Sequence, residues 1–437
     1  MMRKSIDRRA FLKMGTVATG AILATRTVAG EGAGRPARIG VIGTGGRGRG
    51  LLGHLLRMKD VQVPALCDVD PARVRSAQDV VEKSGRPRPE VYTDGDHAYK
   101  RLLARDDVDA VVIATPWEWH ARMSADAMKA GKYAASEVPC AVTLEECWDL
   151  VNTSESTGVP CMMLENWSFR RDNLAVLNMI RQGLFGEIVH CHCAHSHNCI
   201  DHWYWDTAGN PRWPAKYLEK YNRDQYPTHS LGPVLSWMDI NCGDAFAYLT
   251  ATASASLGIN AHFTRLLGKD HEKAKAAYAQ GDIVTSVIKT HRNRTLVINN
   301  DMQLPRPYDN RWIIQGTLGL YDEARNSVYI HGKSPQVNAW EPFGPYQDKY
   351  DHQWWKSMAG QDSAGGHGGV DYLELRLFVD AVRDKTQPPI DVYDSVAMSV
   401  IIALSEESIA KGSAPVACPD FTRGQWKTRK PRFAVEA

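Results

Sequence analysis

The sequence has 437 residues, with 52 Lys and Arg against 50 Asp and Glu, and nine scattered cysteines. This near-neutral balance indicates neither nucleic acid nor an anionic membrane surface as a partner, and the cysteines lack the spacing of a disulfide-stapled domain. The chain is longer than one hydrophobic core usually holds, so two domains are expected.

The first 29 residues have the layout of an export signal. Arg8 and Arg9 stand in a basic head, and residues 14–25, "MGTVATGAILAT", form a weakly apolar stretch too short to span a bilayer. The arginine pair followed by Phe11 matches the twin-arginine pattern. We therefore predict a signal peptide over residues 1–29 and a folded protein exported to the periplasm or beyond. No later apolar run is long enough for a membrane span.

The next segment predicts a site for a dinucleotide. Residues 37–42, "ARIGVI", form an apolar strand, and Gly43, Gly45 and Gly48 follow in the pattern G-x-G-x-x-G before a helix. Asp68 ends the second strand, where a carboxylate accepts hydrogen bonds from ribose hydroxyls and repels a 2′-phosphate. The pattern therefore predicts NAD rather than NADP.

Strand and helix patterns keep alternating up to about residue 160. We predict an NAD-binding Rossmann domain over residues 35–160, with a doubly wound parallel sheet. The further strands are 109–115, 133–139 and 160–166, and the helices between them are 120–131 and 144–158.

After residue 160 the pattern changes to alternating strands. We predict a C-terminal α+β substrate domain over residues 161–437, built on a large open, mostly antiparallel sheet, with late helices near 371–384 and 394–411 covering it. The predicted strands are 189–197, 247–256, 283–291, 295–302, 312–323 and 327–332. The fold class is α/β, a Rossmann half followed by an α+β half.

The segment "HCHCAHSHNC", residues 190–199, raises the alternative of a metal site. Alternate residues on a strand share a face, which groups Cys191, Cys193, His195 and His197 as a candidate zinc set. Such neighbours lie about 6.5–7 Å apart, so four of them cannot close around one ion on a regular strand. No metal is predicted, and a metal role for this segment is left open.

Two motifs after the glycine loop resemble the glucose–fructose oxidoreductase/inositol dehydrogenase (Gfo/Idh/MocA) superfamily. They are "ATPWEWH", residues 114–120, and Glu137-Val138-Pro139. Dehydrogenases of that superfamily carry a lysine where this chain has Val138, and the lysine polarises the hydroxyl that loses hydride. If this protein acted as a net dehydrogenase, it would therefore lack that lysine, a main catalytic group.

A narrower resemblance covers nearly the whole mature chain. It is to glycoside hydrolase family 109, the NAD-dependent α-N-acetylgalactosaminidases, which also have valine at the lysine position. The matching stretches are "ENW" (165–167), "VLNMIRQGLFGE" (176–187), "YPTHSLGPV" (226–234), "LPRPY" (304–308), "GHGGVDY" (366–372) and "PDFTRGQW" (419–426). The resemblance implies a retaining glycosidase that oxidises C3 of the sugar, eliminates the C1 substituent, adds water and reduces C3 again. NAD is then regenerated in every turnover, which suits export with the cofactor bound.

The resemblance also implies the residues of the site. The implied cofactor contacts are Arg47, Gly48, Asp68, Trp117, Glu118, Trp119, His120, Glu137, Val138, Asn166, Tyr226, Pro227, Thr228 and His229. His229 is the implied base for the C3 hydroxyl, with Tyr226 as a second catalytic and sugar-binding residue, and Tyr308 is an implied substrate contact.

Two positions depart from the family's sugar contacts. His195 stands where the family has a tyrosine, and Pro214 where it has an arginine, a cation that Arg212 or Lys216 would have to replace. The aromatic residues of 202–213 suit either sugar faces or internal packing. The sugar, its linkage and the oligomeric state, including a homo-oligomer, stay open. The alternative functions are a sugar oxidoreductase with tightly bound NAD and a non-hydrolytic sugar-binding relative.

Overall fold

The computed structural model describes residues 35–358 and 366–435. Short apolar strands alternate with amphipathic helices in the first half. The strands are β1 (Ala37–Ile42), β2 (Val61–Gln62), β3 (Ala65–Cys67), β4 (Glu90–Tyr92), β5 (Ala110–Ile113), β6 (Tyr133–Ser136) and β7 (Cys161–Met163). The helices are α1 (Gly46–Arg57), α2 (Pro71–Lys83), α3 (Tyr99–Leu103), α4 (Trp117–Lys129) and α5 (Leu144–Thr157).

The seven strands form one parallel sheet in the order β4-β3-β1-β5-β6-β7, with β2 beside the start of β1. Its central strands are buried almost throughout, as expected for a parallel sheet with helices on both faces. The strand order reverses between β1 and β5, because β3 follows β1 on one side and β5 lies on the other. Ligands bind such sheets at the carboxyl ends of the strands beside this reversal.

The second half builds a larger sheet. Its strands are β8 (Ile188–Ser196), β9 (Phe246–Ala253), β10 (Val284–Thr290), β11 (Thr295–Asp301), β12 (Ile313–Gly316), β13 (Gly319–Asp322), β14 (Ser327–Ile330), β15 (Glu341–Pro342) and β16 (Val416–Ala417). Its helices are α6 (Arg171–Arg181), α7 (Ala215–Lys220), α8 (Pro227–Trp237), α9 (Gly258–Leu267), α10 (Glu272–Lys275), α11 (Gly344–Lys349), α12 (Gln353–Ser357), α13 (Val370–Asp384), α14 (Val392–Ser399) and α15 (Ile401–Ala410).

The nine strands run in the order β15-β14-β13-β12-β8-β11-β10-β9-β16, and only the β8–β11 pair is parallel. The predicted fold class, a parallel Rossmann sheet followed by a mostly antiparallel α+β half, is confirmed. Helix α8 packs on β8 and β11, the two strands near the middle of this sheet.

Three details differ from the sequence expectations. The single strand predicted over 312–323 is a hairpin, since Gly316 and Gly319 flank a tight turn in which a Cβ on Gly316 would lie 2.1 Å from a carbonyl oxygen. The helix predicted over 394–411 is two helices that meet at Val400. Of the late helices, α15 covers β9, whereas α13 packs on α1 and α14 on α5 and α8.

The predicted boundary at residue 160 stays a prediction, and α13 from beyond it lies against the Rossmann half. The predicted signal peptide, residues 1–29, lies outside the described residues. Within 35–358 and 366–435, no helix has the length and apolar character needed to cross a membrane.

Candidate active site

The glycine loop between β1 and α1 leaves an open, uncapped helix N-terminus. Gly43 has a φ of 87°, and a Cβ there would lie 2.5 Å from the Ala114 carbonyl oxygen. A Cβ on Gly48 would lie 1.9 Å from the Gly43 carbonyl oxygen, whereas the space around Gly46 is open. Gly45 at the N-cap has no side chain that could cap α1, so the first N–H groups of the helix are available to an anion such as a pyrophosphate.

Asp68 lies beside this loop at the end of β3. Its carboxylate accepts hydrogen bonds from the Thr44 amide (2.6 Å) and hydroxyl (3.0 Å), and from the Asp70 amide (2.9 Å). These bonds hold the side chain at the carboxyl edge of the sheet, where an adenosine ribose would lie in an NAD complex. Loop, helix and carboxylate therefore fit a dinucleotide.

The side chain of Arg47 points to the second half of the chain. Its guanidinium bonds Glu137 (2.5 Å) and Asp371 (2.6 Å), two carboxylates from opposite halves. Val138, next to Glu137, is buried with 3% of its surface exposed. An apolar side chain there cannot polarise a substrate hydroxyl, which agrees with the sequence interpretation of Val138.

The motif Trp117–His120 spreads over three environments because it forms the first turn of α4. Trp117 is buried and packs against the rings of Trp203, Trp213, Tyr217 and Tyr226 at 4.9–5.8 Å between centroids. Glu118 bonds Lys216 and the Tyr217 hydroxyl. Trp119 turns away to His97, and both ring nitrogens of His120 lie 2.7 Å from backbone carbonyls. His120 therefore ties the end of β5 to the segment after β6.

His229 forms a buried pair with Glu165, a residue that the sequence did not indicate. Pro227 and Thr228 open α8, and His229 follows in its first turn with its Nδ1 at 2.9 and 2.8 Å from the two Glu165 carboxyl oxygens. Glu165 is fully buried at the end of β7, and the Trp167 amide donates to it. Gly232, one turn after His229, leaves room for this carboxyl group, since a Cβ there would lie 3.0 Å from Oε1.

Burial shifts both groups of this pair toward their neutral forms. It raises the pKa of Glu165 to about 8 and lowers the pKa of His229 to about 3. Below pH 8 Glu165 therefore keeps its proton and donates it to Nδ1. Above that pH the carboxylate accepts Nδ1–H, which leaves a lone pair on Nε2. Within the described residues, no hydrogen bond occupies Nε2.

Glu165 begins a short turn whose next two residues also reach functional positions. The Asn166 side-chain amide donates to Asp371 (2.8 Å) and lies 3.3 Å from His367 Nδ1. The Trp167 indole donates to the Tyr308 hydroxyl (2.7 Å). One turn at the carboxyl edge of the Rossmann sheet thus positions groups from three distant segments.

His195 lies at the centre of the predicted sugar site. It is buried at the end of β8, and its ring centroid lies 5.1 Å from Tyr226, 5.2 Å from His229 and 5.7 Å from Tyr308. Burial lowers its pKa well below the usual range, so the ring is neutral at pH 7. The structure thus brings together all four residues that the sequence placed at the substrate.

Of the two cations that could replace the family's arginine near Pro214, Arg212 is exposed and Lys216 is bonded to Glu118. Pro214 precedes α7, and Lys216 on that helix is held by Glu118. Trp203 and Trp213 pack on Trp117, with 38% of Trp213 exposed, whereas Trp205 is buried. The two outer tryptophans therefore border the site, and Trp205 belongs to the core.

The four residues of the metal alternative do not gather as a ligand set. Within the described part of the chain, the trio that does approach is His197, Cys199 and His202, whose candidate donor atoms lie within 4.8 Å of one another. A structural zinc site has four protein ligands. Three approach one another here within the described part of the chain, so the trio carries no assignment.

Glu165 and Gly232 are the main features that sequence reasoning missed. Glu165 stands in the quoted stretch "ENW" at the end of a predicted Rossmann strand, where functional groups of this fold occur. An acidic residue at that position was the available signal. Its partner His229 is 64 residues away, so the pairing itself had no local signature.

Two family models match consecutive parts of the chain. Residues 37–165 match the NAD-binding Rossmann fold of an oxidoreductase family, and residues 169–428 match the C-terminal domain of glycosyl hydrolase 109. An NAD-binding oxidoreductase from Klebsiella pneumoniae has the same fold, with a TM-score of 0.68 and 18% identity over 88% of this chain and all of that one. A myo-inositol dehydrogenase from Lactobacillus casei, solved with NAD(H) and myo-inositol, gives a TM-score of 0.61 at 16% identity over 88% of this chain and 97% of that one. The fold is that of the NAD-binding oxidoreductases.

Relatives that match over nearly the full length of the chain assign it to a narrower family. It is 39% identical to a glycosyl hydrolase family 109 protein from Stenotrophomonas maltophilia, over 99% of both chains. It is 40% identical to an α-N-acetylgalactosaminidase from Tannerella forsythia, over 91% of this chain and 89% of that one. The chain belongs to glycosyl hydrolase family 109, and it is therefore a glycoside hydrolase.

Proposed function

We propose that the protein is a retaining glycosidase for an α-linked N-acetylgalactosamine or a close relative of that sugar. In this proposal it works by transient oxidation at C3, elimination across C2 and C1, addition of water and re-reduction. The observation that carries it is the Glu165–His229 pair, which lies among His195, Tyr226 and Tyr308. The similarity to the Tannerella forsythia enzyme supports the choice of sugar.

The residues that would hold NAD come from the Rossmann half. The glycine loop before α1 would take the pyrophosphate and Asp68 the adenosine ribose. Glu137 and Asn166, which are linked through Arg47 and Asp371, would line the rest of the cofactor site together with Val138. Bound NAD supplies the acceptor and donor of hydride at C3, so no external oxidant is consumed.

His229 is the proposed base for the C3 hydroxyl. With Glu165 ionised, Nδ1–H is donated to the carboxylate and Nε2 takes the hydroxyl proton as C3 is oxidised. The buried carboxylate stabilises the imidazolium that results, and the same proton returns to the oxygen at the end of the cycle. Oxidation at C3 acidifies the hydrogen on C2, which prepares the elimination.

Other side chains hold the sugar and restrict the chemistry. Tyr226 lies with its ring 4.8 Å from that of His229, and Tyr308 is fixed by the Trp167 indole. Both are placed to position the sugar ring against the base. Val138 replaces the lysine of the dehydrogenases, which supports a closed cycle over net oxidation.

The twin-arginine signal belongs to the same proposal. An enzyme that regenerates its cofactor within each turnover needs no external NAD supply, so it works outside the cytosol if it folds and binds NAD before export. A fusion of residues 1–29 to a reporter that is active only after folded export tests this part. Replacing Arg8 and Arg9 by lysine should abolish export.

Hydrolysis in deuterium oxide tests the reaction itself. A nitrophenyl α-N-acetylgalactosaminide is hydrolysed to completion, and the released sugar is analysed at C2 by NMR. We expect deuterium at C2, because the hydrogen removed there exchanges with solvent. A glycosidase that uses two carboxylates leaves C2–H intact. Free sugar kept in the same solvent without enzyme gives the background, and a product that does not exceed it refutes the redox route.

A further inference from the structure

The side-chain amide of Asn310 lies buried beside the sugar contacts of the proposed function. Asn310 is 1% exposed, and its amide lies next to the His195 ring and the Tyr308 hydroxyl. Within the described residues, neither its nitrogen nor its oxygen has a hydrogen-bond partner of good geometry. Buried polar groups are almost always paired, because an unpaired one destabilises the fold. An unpaired amide at this position therefore indicates a ligand group that pairs with it.

The strand register turns the Asn310 side chain toward the site. Ser196 of β8 pairs with Asp309 in an antiparallel bridge, which makes Asn310 the residue opposite His195. Strand β12, which follows, pairs with β8 in the same register. Residues that oppose each other in this way place their side chains on one face, with Cβ atoms about 4.5–5.5 Å apart. The His229 ring lies on this face, 5.2 Å from that of His195.

The backbone around Asn310 is fixed on both sides. The Asp309 carboxylate accepts hydrogen bonds from the side chains of Arg306 (3.0 Å) and Arg311 (2.7 Å). On the other side, the indole of the fully buried Trp312 donates to a carbonyl oxygen of α8 (2.9 Å). The amide is therefore held in place before a sugar binds, which lowers the entropic cost of binding.

A primary carboxamide is complementary to a secondary amide. Its nitrogen donates to the acetyl carbonyl and its oxygen accepts the amide hydrogen, so one acetamido group pairs both atoms. A single hydroxyl oxygen cannot meet both atoms in good geometry. In an N-acetylhexosamine the acetamido group stands on C2, beside the C3 carbon whose hydroxyl meets His229 in the proposed function.

We propose that Asn310 is the residue that recognises the acetamido group on C2 of the sugar. This assignment rests on the proposed function and adds to it the contact that separates an N-acetylhexosaminide from a simple hexoside. A sugar with a hydroxyl on C2 leaves the buried amide partly unpaired, and a site built around such a hydrogen bond rejects an analogue that lacks the partner.

Binding of free sugars to the NAD-loaded protein tests the assignment. The probes are N-acetylgalactosamine, galactose, which has a hydroxyl on C2, and N-acetylglucosamine, which has the opposite configuration at C4. Asn310→Leu keeps a similar volume and removes both polar atoms. We expect it to raise Kd, measured by NMR titration, about 5- to 150-fold for the two N-acetylated sugars, the value of two neutral hydrogen bonds. Kd for galactose should stay close to the wild-type value, and retention of NAD through gel filtration checks that the variant is folded.

Asn299→Leu is the matched control. Asn299 lies on β11, where its amide is bonded to His192 and Thr285, and its replacement should leave all three Kd values unchanged. An equal rise for the three sugars, or no rise, would overturn the assignment. So would a rise for N-acetylgalactosamine and galactose that spares N-acetylglucosamine, since Asn310 would then contact the C4 hydroxyl. A wild-type protein that binds galactose as tightly as the N-acetylated sugars would also overturn it.

The experiment in deuterium oxide decides separately on the proposed reaction, because sugar binding does not depend on the route by which the glycosidic bond is cleaved. Deuterium at C2 together with unchanged sugar binding by Asn310→Leu would remove this assignment and leave the proposed function intact.

Discussion

Replacing Glu165 by glutamine removes the charge of the catalytic pair and keeps its shape. The amide oxygen of glutamine still accepts Nδ1–H, but a neutral acceptor replaces an ionised one at 2.8–2.9 Å in a fully buried site. A hydrogen bond to a charged group contributes about 1.5–3 kcal/mol. Since about 1.4 kcal/mol corresponds to a factor of ten, we expect kcat/KM at pH 9 to fall about 10- to 150-fold.

The size of this loss should depend on pH in a defined direction. Burial raises the pKa of Glu165 to about 8, so wild-type activity should rise with pH through that value as the carboxylate forms. At pH 6, two units lower, only about 1% of the wild-type pair is in the active form. Glu165→Gln has no group to titrate there, so its profile should lose the limb near pH 8 and approach the wild type at pH 6.

The assay is kcat/KM for nitrophenol release between pH 5.5 and 9.5, with product measured after quenching at one alkaline pH. Glu374→Gln is the matched control, because Glu374 is also fully buried with a raised pKa but lies on α13 outside the pair. It should keep the limb near pH 8. A Glu165→Gln profile that retains this limb, or a loss that is constant across pH, would refute the role of the carboxylate.

The remaining predictions concern the base, the sugar contact and the glycine beside the pair. His229→Ala should lower turnover about 100- to 10,000-fold. The variant should still retain NAD through gel filtration, which is measured as the absorbance of the cofactor released when the protein is denatured. His195→Tyr, alone or with Pro214→Arg, should raise kcat/KM for N-acetylgalactosaminides relative to other sugars by about fivefold, the value of one neutral hydrogen bond. Gly232→Ala places a Cβ 3.0 Å from the buried carboxyl group and should lower the free energy of unfolding by about 1–3 kcal/mol, as measured by thermal unfolding. Gly53→Ala on α1 is the control, because the space around Gly53 is open and the substitution should not lower the stability of the protein.

Features that depend on neighbours in the chain were predictable. The glycine loop follows β1 directly, and the steric reasons for Gly43 and Gly48 are local ones that the pattern already contains. The alternation of strands and helices likewise specified both halves of the fold. The hairpin at β12 and β13 was missed although its two glycines were visible, because an apolar run of that length also suits one long strand.

Features that depend on the tertiary fold were not predictable. The motif Trp117–His120 was interpreted as one block of cofactor contacts, but successive residues of a helix point about 100° apart. Trp119 therefore faces His97 while Trp117 faces Tyr226. The pairing of Asn166 with His367 joins residues 201 positions apart, so no local pattern marks it.

The turn that begins at Glu165 brings together two buried carboxyl groups that differ in charge. Within the described residues, Glu165 meets His229 with no cation bonded to its carboxyl group, which stays neutral until about pH 8. Asp371 meets His367 with Arg47 bonded to it, so it remains ionised far below neutral pH. Groups whose surroundings drive their pKa values apart take different roles in a reaction. The first pair is suited to accept a proton from a hydroxyl when its carboxylate forms, whereas the ionised Asp371 holds Arg47 and Asn166 in place. Because Glu165 and Asn166 are adjacent, a single shift of this turn would disturb both pairs together.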